Sequence, residues 1–153
     1  MTSSAAFSQL AARCSARETC LSEARAKLER LELTPAQCDA VLQRLVSEGY
    51  IDEARYARAF VSDKLRFARW GRLKIRQALR QKGLADDDIS QALHTIDEQA
   101  YEDTLRTLLA QKRRTLRAAT PYDASARLLR FAASRGFEPA LTLRLLHLPD
   151  NDD

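Results

Sequence analysis

The chain has 153 residues, 45% of them apolar and 30% charged, with four Gly and four Pro. That is enough for a sizeable core, and it is too apolar and too poor in Gly and Pro for a disordered chain. A formal charge of +4 and a pI near 9.2 fall short of a histone-like or ribosomal balance, so where the charges lie matters more than their sum. No apolar run approaches the roughly 20 residues of a membrane helix. The start, Met1 to Phe7, lacks the basic residues and apolar stretch of a signal peptide. A cytoplasmic protein without membrane attachment is expected.

Taken in chain order, every segment reads as helix. Phe7, Leu10, Ala11 and Cys14 follow the i, i+3, i+4, i+7 spacing of one apolar stripe. A second helix is expected from about Arg17 through Leu21, Ala24, Leu28 and Leu31. Thr34-Pro35 opens a third, because Thr34 can accept a bond from a free backbone N–H and Pro35 tolerates the first helical position. Val41, Leu42, Leu45 and Val46 form its buried face, and Gly49 stops it. Asp52 then caps a helix carrying Tyr56, Ala57, Phe60, Val61 and Lys64. The next begins near Gly71, buries Ile75 and Leu79, and ends at Gly83. Asp86-Asp87-Asp88 opens the sixth, where carboxylates complement the positive end of the helix dipole. Consecutive residues point in different directions around a helix, so this run suits capping better than one cation. Leu105, Leu108 and Leu109 mark the seventh helix, which passes into Lys112-Arg113-Arg114 and Arg117. Thr120-Pro121 opens the eighth and Gly136-Phe137 closes it. A short helix with Leu141, Leu145 and Leu146 ends before Pro149, leaving the acidic tail Asp150-Asn151-Asp152-Asp153, expected to be disordered.

The segments repeat. Ile51-Asp52-Glu53-x-x-Tyr56-x-x-x-Phe60 returns as Ile96-Asp97-Glu98-x-x-Tyr101-x-x-x-Leu105. Ile75-x-x-x-Leu79-x-x-Lys82-Gly83-Leu84 returns as Leu128-x-x-x-Ala132-x-x-Arg135-Gly136-Phe137, with a weaker copy in Ala24, Leu28 and Leu33. Three copies about fifty residues apart mean a helical repeat protein. The expected fold is all-α, three tandem three-helix repeats (1–49, 50–96 and 97–148) in an elongated, curved array, followed by the tail 149–153. Cys38 stands where the next repeat has Ile89, an apolar position, and Cys20 where it has Gly71. Cys14, Cys20 and Cys38 lack the spacing of a zinc site, and His94 and His147 stand alone. Structural cysteines are expected.

Charge is less even. From Arg58 to Lys82 there are nine basic residues and one acid, Asp63. Arg72, Arg76 and Arg80 are spaced i, i+4, i+8 and form a ridge on one side of a helix. Lys64, Arg66 and Arg69 in the preceding elbow and Lys74 on the helix extend it. Lys112, Arg113 and Arg114 form a second basic segment. A solvated helix face is the plain alternative, yet like charges at i, i+4 repel, and a face selected only for solubility would mix signs. The ridge is therefore a candidate surface for an anionic partner. Trp70 beside Gly71 either stacks on a base or fills the space between two helices, and the lack of an aromatic at the matching Thr19 favours packing. Tyr56 and Tyr101 recur at equivalent positions, which points to packing for both. Without a Cys–His or Ser–His pairing or a Gly-rich phosphate loop, no enzyme and no cofactor are expected.

Gly49-Tyr50-Ile51-Asp52-Glu53-Ala54-Arg55-Tyr56-Ala57 followed by Trp70-Gly71-x-x-x-Ile75-x-x-x-Leu79-x-x-Lys82-Gly83 resembles the RecX regulatory proteins, which act on the bacterial recombinase RecA. The resemblance covers nearly the whole chain, since that family too is three tandem three-helix repeats. It departs most in the first repeat, where Cys20 and Glu32 stand at positions that are glycine in the middle one. The resemblance implies a negative modulator, part of homologous recombination, DNA repair and the SOS response. Such a modulator binds the RecA–single-stranded DNA filament and restrains its extension and activity. A monomer with weak direct DNA binding is expected. A direct nucleic-acid-binding helical protein and a helical-repeat scaffold for another protein are the alternatives.

Overall fold

The protein is described as a computed structural model covering residues 1–147; Leu148, Pro149 and the acidic tail lie outside the described residues. These residues form α1 (Ser3–Ala16), α2 (Leu21–Glu29), α3 (Pro35–Ser47), α4 (Glu53–Asp63), α5 (Arg72–Gln81), α6 (Asp86–His94), α7 (Glu98–Thr115), α8 (Pro121–Ser134) and α9 (Pro139–His147). A π-helical turn, Lys64–Ala68, follows α4 and interrupts the helix expected to run on through Lys64.

The helix ends obey local chemistry. The Thr34 hydroxyl accepts from the N–H of Gln37, whose own side chain accepts from the N–H of Thr34, with Pro35 in the first turn. Asp52, Asp97 and Thr120 accept from the N–H three residues on. Gly49, Gly83 and Gly136 close helices with φ of 80°, 83° and 94°, where an L side chain would be strained. One boundary differs. Arg17 is extended, and α2 begins at Leu21 rather than near Arg17. The carboxylate of Glu23 accepts the N–H of Cys20, and that of Glu53 accepts the N–H of Leu21, both at 3.2 Å. Glu53 lies 32 residues downstream, so the start of α2 is set by a residue that local periodicity does not reveal.

Met1–Phe60 and Ala78–His94 form one compact unit. Ala6, Phe7, Leu10, Ala24, Leu28, Cys38, Val41, Leu42, Leu45 and Ile51 make a continuous core in it, while Val46, expected on the buried face of α3, is exposed. Cys38 is buried among these apolar neighbours, and Cys20 is fully buried at the start of α2. Leu79 and Ile89 are likewise buried. Leu79→Ala should lower stability by roughly 2–5 kcal/mol, whereas Arg80→Ala should change it by about 0.5 kcal/mol or less. Urea unfolding of both variants checks this, and a larger loss at Arg80 would mean the helical phase of α5 is misassigned.

Val61–Gln77 and the residues from Thr95 form the second unit. Its core is Tyr101, Leu105, Leu108 and Leu109 from α7, Leu128 and Ala132 from α8, Phe137, and Leu141 from α9.

The repeated Ile-Asp-Glu-x-x-Tyr sequence has the same work in each unit, which is to hold the start of an earlier helix. In the first, Glu53 accepts from the start of α2, and buried Tyr56 lies against Glu23 and Cys20 there. Burial, followed by the charge on these neighbours, pushes the Tyr56 phenol well above its ordinary range. In the second, the hydroxyl of buried Tyr101 accepts the Arg72 N–H that opens α5, at 3.0 Å, and donates to Glu138. Glu98 meets the Arg72 guanidinium at 2.8 Å. Packing is thus the role of both tyrosines.

A basic elbow as the candidate functional site

The elbow lies between α4 and α5, within the second unit. Asp63 ends the α-helical bonding, and the N–H groups of Arg69 and Trp70 both return to the carbonyl of Lys64. Arg69 itself is left-handed, with φ 54°, a conformation that costs an L residue about 1–2 kcal/mol. The chain then docks on the end of α8. The N–H of Gly71 donates to the Arg135 carbonyl at 2.7 Å and that of Leu73 to the Gly136 carbonyl at 3.0 Å. Two of the free N–H groups at the start of α5 are therefore bonded to the turn that closes α8.

This geometry interleaves cations and rings. The ammonium groups of Lys64 and Lys74 stand 4.5 and 4.6 Å from the centre of half-buried Trp70. The guanidinium of Arg66 is 5.4 Å from the ring of Phe67. Phe67 is 76% exposed. Cations over aromatic faces gain about 0.5–1 kcal/mol at exposed sites, so these contacts order long basic side chains without neutralising them. Arg66 and Arg69 are exposed and Arg76 is half-exposed, and none has a carboxylate within ion-pair distance among the described residues.

The expected ridge Arg72–Arg76–Arg80 is uneven. Arg72 is turned inward, its side chain 24% exposed, between Glu98 at 2.8 Å and Glu138 at 2.6 Å. Its guanidinium lies 4.0 Å from the Tyr101 ring centre. Burial disfavours its charge, but the bonds to Glu98 and Glu138 prevail and push its pKa upward. Glu98, from the repeated motif, is thus a partner of the ridge. Arg80, in the first unit, is 3.0 Å from Asp86 on the surface, with side chains 56% and 75% exposed. Such a pair contributes about 1 kcal/mol at most. Arg66, Arg69 and Arg76 remain as cations of the second unit without a carboxylate partner among the described residues, with Lys64 and Lys74 beside Trp70.

Lys112, Arg113 and Arg114 form the last turn of α7, where positive charge suits the helix dipole. Lys112 lies 5.3 Å from the Phe131 ring centre, while Arg113 and Arg114 are exposed. By helical spacing Arg114 continues the face of Thr104, Thr107 and Gln111.

Phe67 escaped the sequence reading. Its signal was available, since Asp63 and Lys64 stand four and three residues before it and give it no apolar neighbour on that side of a helix. The inward holding of Arg72 had no local signal, because Glu98 and Glu138 lie 26 and 66 residues away.

Consecutive three-helix repeats with a basic, aromatic-bearing elbow define a helical-repeat protein. The family description "RecX, second three-helix domain" matches residues 52–93. The chain is 38% identical over 131 residues to the regulatory protein RecX of Pseudomonas savastanoi pv. phaseolicola, covering 83% of this chain and 80% of that one. It is 35% identical over 143 residues to the regulatory protein RecX of Leptothrix cholodnii, covering 90% and 84%. The crystal structure of RecX from Lactobacillus salivarius shares the fold with a TM-score of 0.82 at 16% identity, over 94% of each chain. Another crystal structure of regulatory protein RecX gives 0.85 at 22% identity, over 94% of this chain and 70% of that one. The chain belongs to the RecX family of regulatory proteins. No helix among the described residues is long and apolar enough to cross a membrane.

Proposed function

We propose that the protein is a negative modulator of the RecA recombinase. It binds the RecA–single-stranded DNA filament in the cytoplasm, as a monomer without cofactor, and restrains the filament's extension and activity. Membership of a regulatory family named for this system supports the partner. The observation that carries the site is the elbow and the start of α5, where Arg66, Arg69 and Arg76 have no carboxylate partner among the described residues and Lys64 and Lys74 flank Trp70. Clustered cations of this kind attract an anionic surface and speed association. Lys112, Arg113 and Arg114 serve as a second contact, and the repeats 1–49, 50–96 and 97–148 engage the filament together, so that weak contacts add through effective concentration. Arg72 and Arg80 contribute less than their spacing alone implies, because each already faces a carboxylate.

Reversing Lys64, Arg66, Lys74 and Arg76 to Glu together should weaken filament binding by at least about tenfold, since each charge near an anionic surface contributes on the order of a few tenths to 1 kcal/mol. Helicity should stay unchanged, because these side chains reach the surface. Fluorescence anisotropy on preformed filaments reads the first and circular dichroism the second. Equal affinity at normal helicity refutes the site. A direct nucleic-acid-binding function is the second reading, favoured by one observation: exposed Phe67 beside Arg66 has the form of a base-stacking platform.

A further inference from the structure

Beside the elbow, within the second unit, is a groove of about 530 Å³ formed by the π-helical turn and α7. Its apolar lining is Val61, Leu65, Ile96 and Tyr101; Val61 and Tyr101 are buried, and Leu65 and Ile96 are half-buried. Arg66 and Arg69 supply positive charge to the same lining. Two acids also line it, but both are engaged. Asp97 accepts the Ala100 N–H that starts α7, and Asp103 accepts from the Gln99 amide and faces Arg106 at 3.6 Å. The positive charge of the lining thus lies on the side of the π-helical turn, at Arg66 and Arg69, and the negative charge lies on the side of α7, where Asp97 and Asp103 already face donors of their own helix.

The backbone at this edge is unusual twice over. A π-helical turn is rare and is found disproportionately at functional sites. A left-handed arginine, Arg69 at φ 54°, is strained where glycine would be relaxed, and such strain clusters at ligand-binding segments. Together these features place Leu65, Arg66 and Arg69 around one cavity whose volume falls in the range of ligand sites.

We infer that this groove takes a segment of a partner protein carrying an apolar side chain flanked by carboxylates. An apolar anchor removes Leu65 and Ile96 from water, while carboxylates on either side meet Arg66 and Arg69. A nucleic-acid backbone would satisfy the two arginines but would leave the apolar lining facing phosphate and sugar. The inference rests on the proposed function, and on that reading the segment belongs to the recombinase rather than to its DNA strand. Lys74, Arg76 and Phe67 remain available to the strand.

The test fills the groove without touching its charges. Thr104 and Thr107 line it from α7, and among the described residues their hydroxyls bond only the carbonyls of Ala100 and Asp103 in their own helix. Thr104→Trp and Thr107→Trp are compared with the wild type for binding to RecA filaments assembled on oligo-dT and to bare oligo-dT. Arg69→Gly, which removes a cation and relieves its backbone strain, is the companion variant; circular dichroism verifies the fold of all three. The Trp variants should lose on the order of tenfold in filament affinity, the scale of one displaced anchor, with bare-strand affinity unchanged. Arg69→Gly should weaken filament binding most at low salt. If the Trp variants bind filament like the wild type, the groove is not a docking site, whereas a wild type that ignores filament overturns the parent function instead. Equal losses on filament and on bare strand would make nucleic acid the occupant and overturn the inference as well.

Discussion

Gly71→Ala should lower stability by at least about 3 kcal/mol, well beyond an ordinary surface substitution. A Cβ at Gly71 would fall inside contact distance of the carbonyl carbon and oxygen of Gly136 and of the Phe137 nitrogen, all main-chain atoms that cannot rotate away. Relief requires parting α5 from the end of α8, which breaks the Gly71–Arg135 and Leu73–Gly136 backbone bonds. Gly136→Ala should be comparably costly, because its added methyl would meet the Lys74 side chain and, at 2.6 Å, the Lys74 nitrogen at a φ of 94°. Gly83→Ala is the control. It shares the positive φ, 83°, but has nothing within 4 Å, so it should cost only the left-handed penalty of about 1–2 kcal/mol. Urea midpoints of the three variants test this. Equal losses at Gly71 and Gly83 would mean that the close approach is not what requires glycine.

Arg72→Ala should cost about 2–4 kcal/mol, the range for breaking a partly buried, hydrogen-bonded ion pair. Most of the loss comes from Glu138, whose side chain is 29% exposed and which also accepts from Tyr101; Glu98, at 58%, is largely screened by water. Arg72→Lys should recover little, since one ammonium cannot reproduce a guanidinium that meets two carboxylates through different nitrogens. Chemical denaturation at neutral pH measures both variants. A loss of filament binding in an Arg72 variant would then report the start of α5 coming loose rather than a missing contact. Unchanged stability in Arg72→Ala would return Arg72 to the exposed ridge.

These two cases mark where sequence reading reaches and where it stops. Thr34-Pro35, Thr120-Pro121, Asp52, Asp97 and the three helix-ending glycines act on residues within one turn, so local chemistry was sufficient to place those helix ends. Leu79, Ile89, Cys38 and Leu128 fell on the buried side because a 3.6-residue period defines a face directly. The same period could not say what packs against the polar face. Arg72, Arg76 and Arg80 looked alike in spacing, yet Arg72 meets carboxylates from two distant helices' neighbourhoods, Arg80 meets Asp86, and Arg76 meets none among the described residues. The start of α2 was misplaced for a related reason, since Glu53 fixes it from far along the chain. At the elbow, the basic residues were legible as charge, but the π-helical turn that exposes Phe67 and opens the groove beside Leu65 was not. A repeated motif was the strongest long-range signal in the chain. Glu53 with Tyr56 and Glu98 with Tyr101 recur because each pair secures the beginning of an earlier helix.

The central claim, that the assembled filament rather than bare DNA is the target, is tested most directly by paired titrations across salt. Binding is measured on bare single strands and on preformed RecA filaments between 50 and 200 mM salt. A protein held on DNA by about six phosphate contacts should lose some three decades of affinity over that range. The filament reader should lose less on filament than on bare strand, because protein–protein contacts release no counterions, and it should slow filament extension at concentrations below those that coat bare strands. Curves on the two targets that coincide in midpoint and slope would contradict the account and leave a simple nucleic-acid-binding protein.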